Sequence, residues 1–494
     1  MMRSTPKAAS GKGGGFANPS APIDGSYINI LSSFLDATTD PMTSSSGLTN
    51  VDLAFLLNIP AQQLPLLRSA PSSMDVTDRR VQRNVPASEG SRTAGQSIKC
   101  IRPYHAILVR LYLRHPEYAT LIPPRPSSAE VYELIQPFMR PAGQPWNNPE
   151  ESRRRWFAQL FGRSLIISYK MLANDPTVQA NRNNSRPVTH LQTLIMLRFA
   201  AEFRATYADF REKYLPPEEA NNPLYIPQAQ SWDILHERDS LTDWMDDGIY
   251  ESFSYELTKR WSNWWDGKYM KTLEREARSR NLDLEDVLKT GQWKMDDEVS
   301  SFKDYPSDAM PITGADSSLL TSFRGFTGLS SSEFVWLLGI SPKTFFMYRK
   351  RPNQRIDASV SILMRHLYHN PDDLDLFIRI PHEPAGLLER IQAIDPKFER
   401  KHFGVLLGAG PVAGYNMTKA DSMVPAFARR AATLLARHLD TSDDIYWHLR
   451  EAAEAEAKAR GLSASQLWDN GTWHPSGHDD SEDDDSDQDD FGDD

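Results

Sequence analysis

The segment ILVRLYLRHP at positions 107–116 recurs later in the same chain as ILMRHLYHNP at positions 362–371. A second segment, EARSRNL at 276–282, recurs in the same order as EAKARGL at 456–462, and each copy is followed by a Gly-x-Trp sequence. Two matches of this length in one order indicate an internal duplication, which has to be recognised before a fold is assigned. We therefore divide the chain into a first half, residues 23–297, and a second half, residues 311–475.

Apolar residues are spaced three and four positions apart along most of the chain, for example in segments 104–121, 191–210 and 426–439. This spacing places apolar side chains on one face of a helix. Alternating apolar and polar residues, which favour β-strands, are nearly absent. The pattern predicts an all-α fold. The longer first half has an additional long helix followed by a Pro-rich loop, at 204–230.

The chain has 494 residues, a formal net charge of −11 and a single cysteine, Cys100. Residues 479–494 contain eleven acidic residues and no basic residue, so the remainder of the chain has no net formal charge. A surface for nucleic acid would therefore be a local basic patch. One cysteine excludes a disulfide framework, and no apolar run has membrane-spanning length. These features favour a cytoplasmic protein without a membrane partner.

A sequence typical of two short helices joined by a sharp turn begins the second half. Ser330 and Glu333 begin the first of these helices, and Gly339 can end it in a left-handed conformation. A second helix would leave at a steep angle from Ser341, as a helix-turn-helix requires. The matching positions of the first half are Thr49, Asp52, Asn58 and Pro60.

This pattern resembles the lambda-repressor-like (Cro/C1-type) family of helix-turn-helix DNA-binding domains. The segment 319–326 resembles the family's first helix, and 362–368 resembles its closing apolar helix. The resemblance implies that the helix beginning at Ser341 enters the major groove. The residues expected to read bases are Ser341, Pro342, Lys343, Thr344 and Met347. The residues expected to contact phosphates are Arg349, Lys350, Arg351 and Arg355.

The equivalent unit of the first half departs from the family pattern. Gln62 and Gln63 occupy the base-reading positions and Arg68 the phosphate position. Pro65 falls inside the expected recognition helix and is expected to kink it. A basic segment that follows could compensate with further phosphate contacts, from Arg79, Arg80 and Arg83.

A weaker pair of similar units occurs further along each half, at 157–169 and 403–415. We interpret both as diverged copies of the same module. The first has basic residues that could contact phosphates, namely Lys170, Arg182 and Arg186. The second has Pro411 and Gly414 where a recognition helix should be stiff, so we interpret it as mainly structural.

Other chemistry has weaker support. The sequence LLGAGPVAG at 406–414 is similar to the glycine turn of a dinucleotide-binding fold, but the following segment is helical and basic where a strand and an acidic residue are required. His366 and His369 have no carboxylate or cysteine to complete a metal site. We therefore expect no catalytic residue, metal or cofactor. The tryptophans expected to form a core joining the halves are Trp261, Trp264, Trp265, Trp293 and Trp473.

The predicted organisation is an internally duplicated array of four helix-turn-helix units. The expected boundaries are a disordered arm at 1–22, units at 23–135, 136–298, 311–382 and 383–475, and a disordered acidic tail at 476–494. Such a chain would be a non-enzymatic, nucleoid-associated transcriptional regulator that binds double-stranded DNA as a covalent pseudo-dimer, with a homodimer or a second regulatory protein as further partners. The alternative is an interaction protein whose units are packing modules and whose acidic tail binds a basic partner or mimics DNA.

Overall fold

The computed structural model describes residues 23–38, 48–70, 101–139 except 124, 149–172, 186–220, 232–235, 237–293, 318–350, 356–378, 384–440 except 420, 421 and 423, 442–471 and 473. Over these ranges the regular secondary structure is helical and there is no β-strand. The prediction of an all-α fold is confirmed. No helix in these ranges has the length and apolar character needed to cross a membrane. The predicted N-terminal arm and acidic tail lie outside the described residues.

The described α-helices of the first half are α1 (Gly25–Thr38), α2 (Asn50–Leu56), α3 (Leu64–Leu67), α4 (Pro103–Arg114), α5 (Ser128–Ile135), α6 (Pro149–Trp156), α7 (Leu165–Met171), α8 (Arg186–Tyr214), α9 (Pro217–Ala220), α10 (Arg238–Thr242), α11 (Asp247–Trp264), α12 (Lys271–Ser279) and α13 (Leu284–Thr290). Short 3-10 helices cover Pro116–Leu121, Gln136–Phe138, Phe157–Phe161 and Trp232–Leu235, and a π-helix covers Trp265–Met270. The long helix is α8, with 29 residues, and it starts at Arg186, well before the predicted position 204.

The described α-helices of the second half are α14 (Ser318–Thr327), α15 (Ser331–Leu337), α16 (Pro342–Lys350), α17 (Ala358–His369), α18 (Pro384–Ile394), α19 (Arg400–Leu406), α20 (Pro411–Met417), α21 (Arg429–His438), α22 (Asp444–Ala459) and α23 (Ala464–Asn470). Short 3-10 helices cover Pro371–Asp373 and Ala426–Ala428.

Helices α2 and α15 begin with the same capping arrangement. The backbone N–H of Thr49 donates to Asp52 Oδ2 at 2.8 Å, and that of Ser330 donates to Glu333 Oε2 at 3.0 Å. The hydroxyl groups of both cap residues accept in return from the backbone N–H three positions later. These reciprocal bonds satisfy N–H groups that a helix end otherwise leaves unpaired. The helix starts predicted from the sequence are confirmed at both positions.

Each of these two helices is followed by a residue in the left-handed conformation, as the sequence predicted. Asn58 has φ of 55° and Gly339 has φ of 63°. Glycine adopts this region without steric cost, and asparagine is among the few other residues that enter it readily. The left-handed residue lies in the turn that precedes α3 in the first half and α16 in the second.

The two capped helices lie against each other, so the beginnings of the two halves are in contact. The rings of Phe55 and Trp336 stack with centroids 3.9 Å apart. The indole N–H of Trp336 donates to Asp52 Oδ1 at 3.1 Å, which links α15 to the cap of α2. Both aromatic side chains are buried. Burial of such large rings contributes several kcal/mol of hydrophobic stabilisation, roughly 1.5–3 kcal/mol for each side chain.

Two buried ion-pair clusters join the halves a second time. In the first cluster, Glu276 of α12 accepts from Arg280 on its own helix at 2.6 Å and from Arg365 of α17 at 2.5 Å. In the second, Glu456 of α22 accepts from Arg460 on its own helix at 2.9 Å and from Arg110 of α4 at 2.6 Å. Each glutamate therefore pairs once within its half and once with the other half.

These clusters consist of the residues that define the sequence repeat. The arginine next to each glutamate also donates to a backbone carbonyl of the other half, Arg280 to Ile356 at 2.9 Å and Arg460 to Ile101 at 3.4 Å. A buried charge is tolerated when it is paired and its remaining hydrogen bonds are made. The repeated segments thus meet each other across the molecule, first half against second and second against first.

Glycines at matched positions allow a further close contact between the halves. Gly162 has φ of +73°, and a Cβ there would lie 2.6 Å from the backbone N of Ser359 at the start of α17. Gly408 has φ of +84°, and a Cβ there would lie 2.4 Å from the Cα of Tyr104 at the start of α4. Glycine is needed at both positions for two reasons. Its φ is positive, and a Cβ would collide with the backbone of the other half.

The prediction that the tryptophans join the halves is correct only in part. The indole N–H of Trp264 donates to Asp373 Oδ2 of the second half at 2.9 Å. The indole N–H of Trp293 instead donates to the carbonyl of Gln159 in its own half, at 2.9 Å. Trp473 does the same with Ala409 in the second half, at 3.1 Å. The latter two tryptophans pack the ends of their own halves because a short helix returns each of them to the weaker unit of the same half.

The glycine-rich segment 406–414 covers the end of α19, the turn at 407–410 and the start of α20. The turn follows a helix, whereas a dinucleotide-binding turn follows a strand. A Cβ on Gly404 would lie 2.3 Å from the carbonyl O of Gly410, and one on Gly414 would lie 2.4 Å from the carbonyl O of Arg400. Glycine is therefore used here to let two helices approach, and Pro411 occupies the first position of α20, which tolerates it.

Candidate nucleic-acid interface

Helix α16 presents a polar edge to solvent. Ser341 and Lys343 are exposed, and Met347 one turn on is 38% exposed. Pro342 and Thr344, the other two residues expected to read bases, are half-buried. The Ser341 hydroxyl accepts from the backbone N–H of Thr344 at 3.0 Å and so caps the helix. The structure brings the five residues together on the first turns of one helix.

The opposite face of α16 is anchored in the second half. Phe345 is 3% exposed and packs edge-on against Phe334 of α15 at 5.8 Å between centroids. Tyr348 is buried, which raises the pKa of its hydroxyl, and its oxygen accepts from the backbone N–H of Asp357 at 3.3 Å. Asp357 in turn forms an ion pair with Arg163 of the first half at 3.0 Å. The exposed edge is therefore held in a fixed orientation.

Two of the four basic residues expected to contact phosphates in this unit lie within the described residues. Arg349 is half-buried and Lys350 is exposed, both in the last turn of α16. Arg351 and Arg355 lie outside the described residues. Positive side chains at the end of a helix that carries polar residues at its start could contact the backbone of a nucleic acid on either side of a groove.

The corresponding unit of the first half has a different second helix. Helix α3 has only four residues and starts at Leu64, so Gln62 and Gln63 precede it in a turn. Both glutamines are half-buried. The prediction that Pro65 kinks a recognition helix is wrong. Pro65 lies in the first turn of a short helix, where its missing N–H costs nothing.

Of the remaining residues expected to contact phosphates, the structure describes the side chains of Arg68 and Lys170. Arg68 donates to Asn50 Oδ1 at 3.0 Å and thus ties α3 to the start of α2. Lys170 is exposed near the end of α7. Arg186 is the first residue of α8, and its side chain lies outside the description. Arg79, Arg80, Arg83 and Arg182 also lie outside the described residues.

The two weaker units expose apolar side chains at matched positions, which the sequence analysis did not single out. On α7, Ile166 is 70% and Tyr169 is 51% exposed. On α20, Val412 is 57% and Tyr415 is 47% exposed. Apolar side chains three positions apart on a helix form a small patch, and such exposed patches often mark contact surfaces.

Glu333 has a role beyond capping that the sequence did not reveal. Its carboxylate accepts from Arg429 at 2.6 Å and from Arg430 at 3.0 Å, with all three side chains buried. Burial alone raises the pKa of Glu333, but Arg430, Arg429 and the hydrogen bonds from Ser330 together more than offset this and lower it. Arg430 also lies 3.7 Å over the Phe55 ring and donates to the Phe55 carbonyl at 3.0 Å. The cap of α15 is thus fixed to the end of α2.

A second buried network surrounds His366, one of the two histidines for which the sequence offered no metal site. Its Nε2 lies 2.6 Å from Asp373 Oδ2, and its Nδ1 lies 3.3 Å from the hydroxyl of Thr272. Trp264 and Arg198 also donate to Asp373. These groups lie in the core between the halves, so His366 is packed and contributes to structure.

Comparison of the chain with protein-family models, with curated proteins and with solved structures gives no match. The functional interpretation therefore depends on the geometry and chemistry of these residues.

Proposed function

We propose that the protein is a sequence-specific DNA-binding regulator and that α16 is its reading helix. The observation that carries the proposal is the exposed polar edge of α16 above an anchored apolar face. The major groove of B-DNA admits an α-helix of ordinary width. Lys343 can donate to guanine O6 and N7, Ser341 can bond to any base edge, and the Met347 side chain can contact a thymine methyl group.

The charges at the end of α16 support the same proposal. Lys350 and Arg349 follow the polar edge and would contact phosphates on the strands that border the groove. Such contacts supply affinity that does not depend on sequence and that falls steeply with salt. They would fix the register of the helix, while Ser341 and Lys343 would determine which sequence is preferred.

We infer further that the chain is a duplicated array of helix-turn-helix units, similar to the Cro/C1-type family, that acts as a covalent pseudo-dimer. The matched capping boxes, the reciprocal ion-pair clusters and the matched glycines support this inference. They relate equivalent residues of the two halves in both directions, as an approximate twofold arrangement requires. The reading heads would be unequal, because α3 is shorter than α16.

The test is selection of bound sequences from random duplex DNA with the full chain, followed by affinity measurements at several salt concentrations. Lys343→Ala should lower affinity for the selected site by about 1–3 kcal/mol, at least fivefold, and relax the preference at one position. Lys350→Ala should weaken binding to all sequences alike and reduce the salt slope by about 1.

Lys271→Ala is the matched control, since Lys271 is also an exposed lysine but lies at the start of α12. It should leave affinity and salt slope unchanged. Failure to select any sequence, or equal losses in the Lys343 and Lys271 variants, would contradict the assignment of α16.

A second candidate function is that of an interaction protein. The exposed apolar pairs on α7 and α20 favour it, because a DNA groove offers few apolar surfaces whereas protein partners commonly cover them. Ile166→Ser with Val412→Ser should then abolish capture of a stoichiometric protein partner and leave DNA affinity unchanged. If the same double variant loses DNA binding and no partner is captured, the two weaker units belong to the DNA-binding surface.

A further inference from the structure

Two histidines and a glutamate from different halves come together at the outer end of α4. His115 ends α4, Glu117 lies in the following 3-10 helix, and His448 lies on α22 of the second half. Each side chain offers one ligand atom, and these atoms lie within 4.8 Å of one another. The two imidazole rings are stacked, with centroids 3.6 Å apart and planes 17° apart. The group is half-buried at the histidines and open to solvent at the glutamate.

This set of side chains has the chemistry of a transition-metal site. Two imidazoles and one carboxylate are a known ligand set for Zn²⁺, with a fourth position left for water or another ligand. Imidazole nitrogen favours zinc, copper and nickel over magnesium and calcium, which prefer oxygen ligands. His115 Nδ1 lies 3.2 Å from Glu117 Oε1, so two members of the set are already in contact.

One of the histidines is already oriented by a neighbouring group. The Tyr118 hydroxyl lies 2.8 Å from Nδ1 of His448, which leaves Nε2 of that ring as its ligand atom. Metal-binding histidines commonly use their second nitrogen in this way, because the bond fixes the tautomer and the direction of the ring. Tyr118 is itself held by an edge-on contact with His438 at 5.0 Å between centroids.

We propose that His115, Glu117 and His448 form a binding site for a divalent ion of the zinc class, which links the first half to the second. A tetrahedral ion with bonds of about 2.0–2.3 Å needs ligand atoms about 3.3–3.7 Å apart. The contact between His115 and Glu117 already has about this separation. The stacked rings must turn out of their parallel arrangement, because an imidazole binds a metal through a nitrogen lone pair in its own plane. The inference is independent of DNA binding, because none of the three residues lies on α16.

The site escaped the sequence analysis, which expected no metal, because its ligands are far apart along the chain. Only His115 and Glu117 are neighbours in sequence, and such a pair is too common to indicate a metal. The packing of α4 against α22 supplies the third ligand. The same two helices form the nearby ion pair between Arg114 and Glu451, at 2.6 Å.

The experiment titrates the metal-free full chain with Co²⁺, whose visible spectrum reports a tetrahedral site with nitrogen ligands, and then displaces it with Zn²⁺. We expect a tetrahedral spectrum, its loss on addition of Zn²⁺, and a rise in Tm with Zn²⁺ because the ion binds only the folded chain. Glu117→Gln and His448→Gln should abolish all three signals. Tyr118→Phe should weaken binding by about tenfold or more.

The matched control is His369→Gln, which removes a half-buried histidine at the end of α17 and should change none of these signals. Circular dichroism checks that each variant is folded. Since Glu117 is 60% exposed, its variant gives a result even if His448→Gln does not fold. A Co²⁺ spectrum without tetrahedral character, or binding that persists in Glu117→Gln and His448→Gln, would overturn the proposal and assign the ion to other residues, such as the acidic segment 479–494.

Discussion

The two helix-turn-helix-like segments, 48–68 and 329–350, share their first helix and differ in their second. Helices α2 and α15 have the same length, the same type of capping box and the same left-handed turn after them. Helix α3 has four residues and α16 has nine. The shared helices are buried against each other, whereas the differing ones reach the surface. The contrast indicates that packing between the halves constrains the first helix and leaves the second free to specialise.

The largest difference in stability between the two segments is expected when the acidic residue of each capping box is replaced by its amide. Glu333→Gln leaves two buried arginines without a carboxylate and should lower the free energy of unfolding by about 3–5 kcal/mol. Asp52→Asn should cost about 1–2 kcal/mol, because its partner Arg125 is partly exposed and keeps its hydration. Urea denaturation of both variants checks this. Equal losses would show that the two caps contribute alike.

The contribution of Glu333 should also depend on pH. Its pKa in the folded protein is below its usual value of 4.5, so its stabilisation is complete above pH 4.5 and is lost as pH falls through the folded-state pKa. The difference in unfolding free energy between the wild type and Glu333→Gln should therefore shrink below pH 4.5. Measuring the difference isolates Glu333, because other carboxylates titrate in both proteins. A difference that stays constant with pH would contradict the lowered pKa.

A smaller effect is expected at the turns. Gly339→Ala should cost about 1–2 kcal/mol, because alanine is strained in the left-handed region. Asn58→Gly should change stability by less than about 0.5 kcal/mol, because both residues accept this conformation. Thermal unfolding of the two variants compares the turns directly. A loss at Asn58 as large as that at Gly339 would show that the asparagine side chain is needed for more than its conformation.

The smallest effect is expected from the glutamines that precede α3. Gln62→Ala with Gln63→Ala should change affinity for a selected DNA site by less than about fivefold, below the range of a good base contact. Both side chains are half-buried and stand before the helix, where they are poorly placed to enter a groove. Measuring the DNA affinity of this double variant together with that of Lys343→Ala shows which of the two units contributes more to binding. A larger loss at the glutamines would make α3 the main reading helix.

The sequence predicted the local structure of these segments well. Thr49 with Asp52, Ser330 with Glu333, and the left-handed Asn58 and Gly339 depend on neighbours within a few positions, so their outcome is determined locally. The exposed edge of α16 follows from the same helical spacing. Pro65 was placed wrongly because the start of a helix depends on the energy of several alternative first turns, and the sequence does not rank them.

Contacts between distant residues could not be predicted. The repeat identified Arg110 and Glu456 as significant, but nothing local showed that each pairs across the halves. The pairing of Glu333 with Arg429 and Arg430, and the approach of His448 to His115, depend on how α21 and α22 pack. Such packing is a property of the whole core, in which many weak contacts are satisfied together.

The reciprocal clusters also determine when the chain can fold during its synthesis. Arg110 meets Glu456 across 346 positions of sequence, so its partner is made only after that length of chain has been translated. Until then the emerging first half contains an arginine whose place in the core has no counter-charge. Contacts of such long range slow folding, because the entropy of closing the loop is lost before the contact forms. The first half alone therefore lacks the partner of Arg110, and this contact between the halves can form only after the residues around Glu456 have been made.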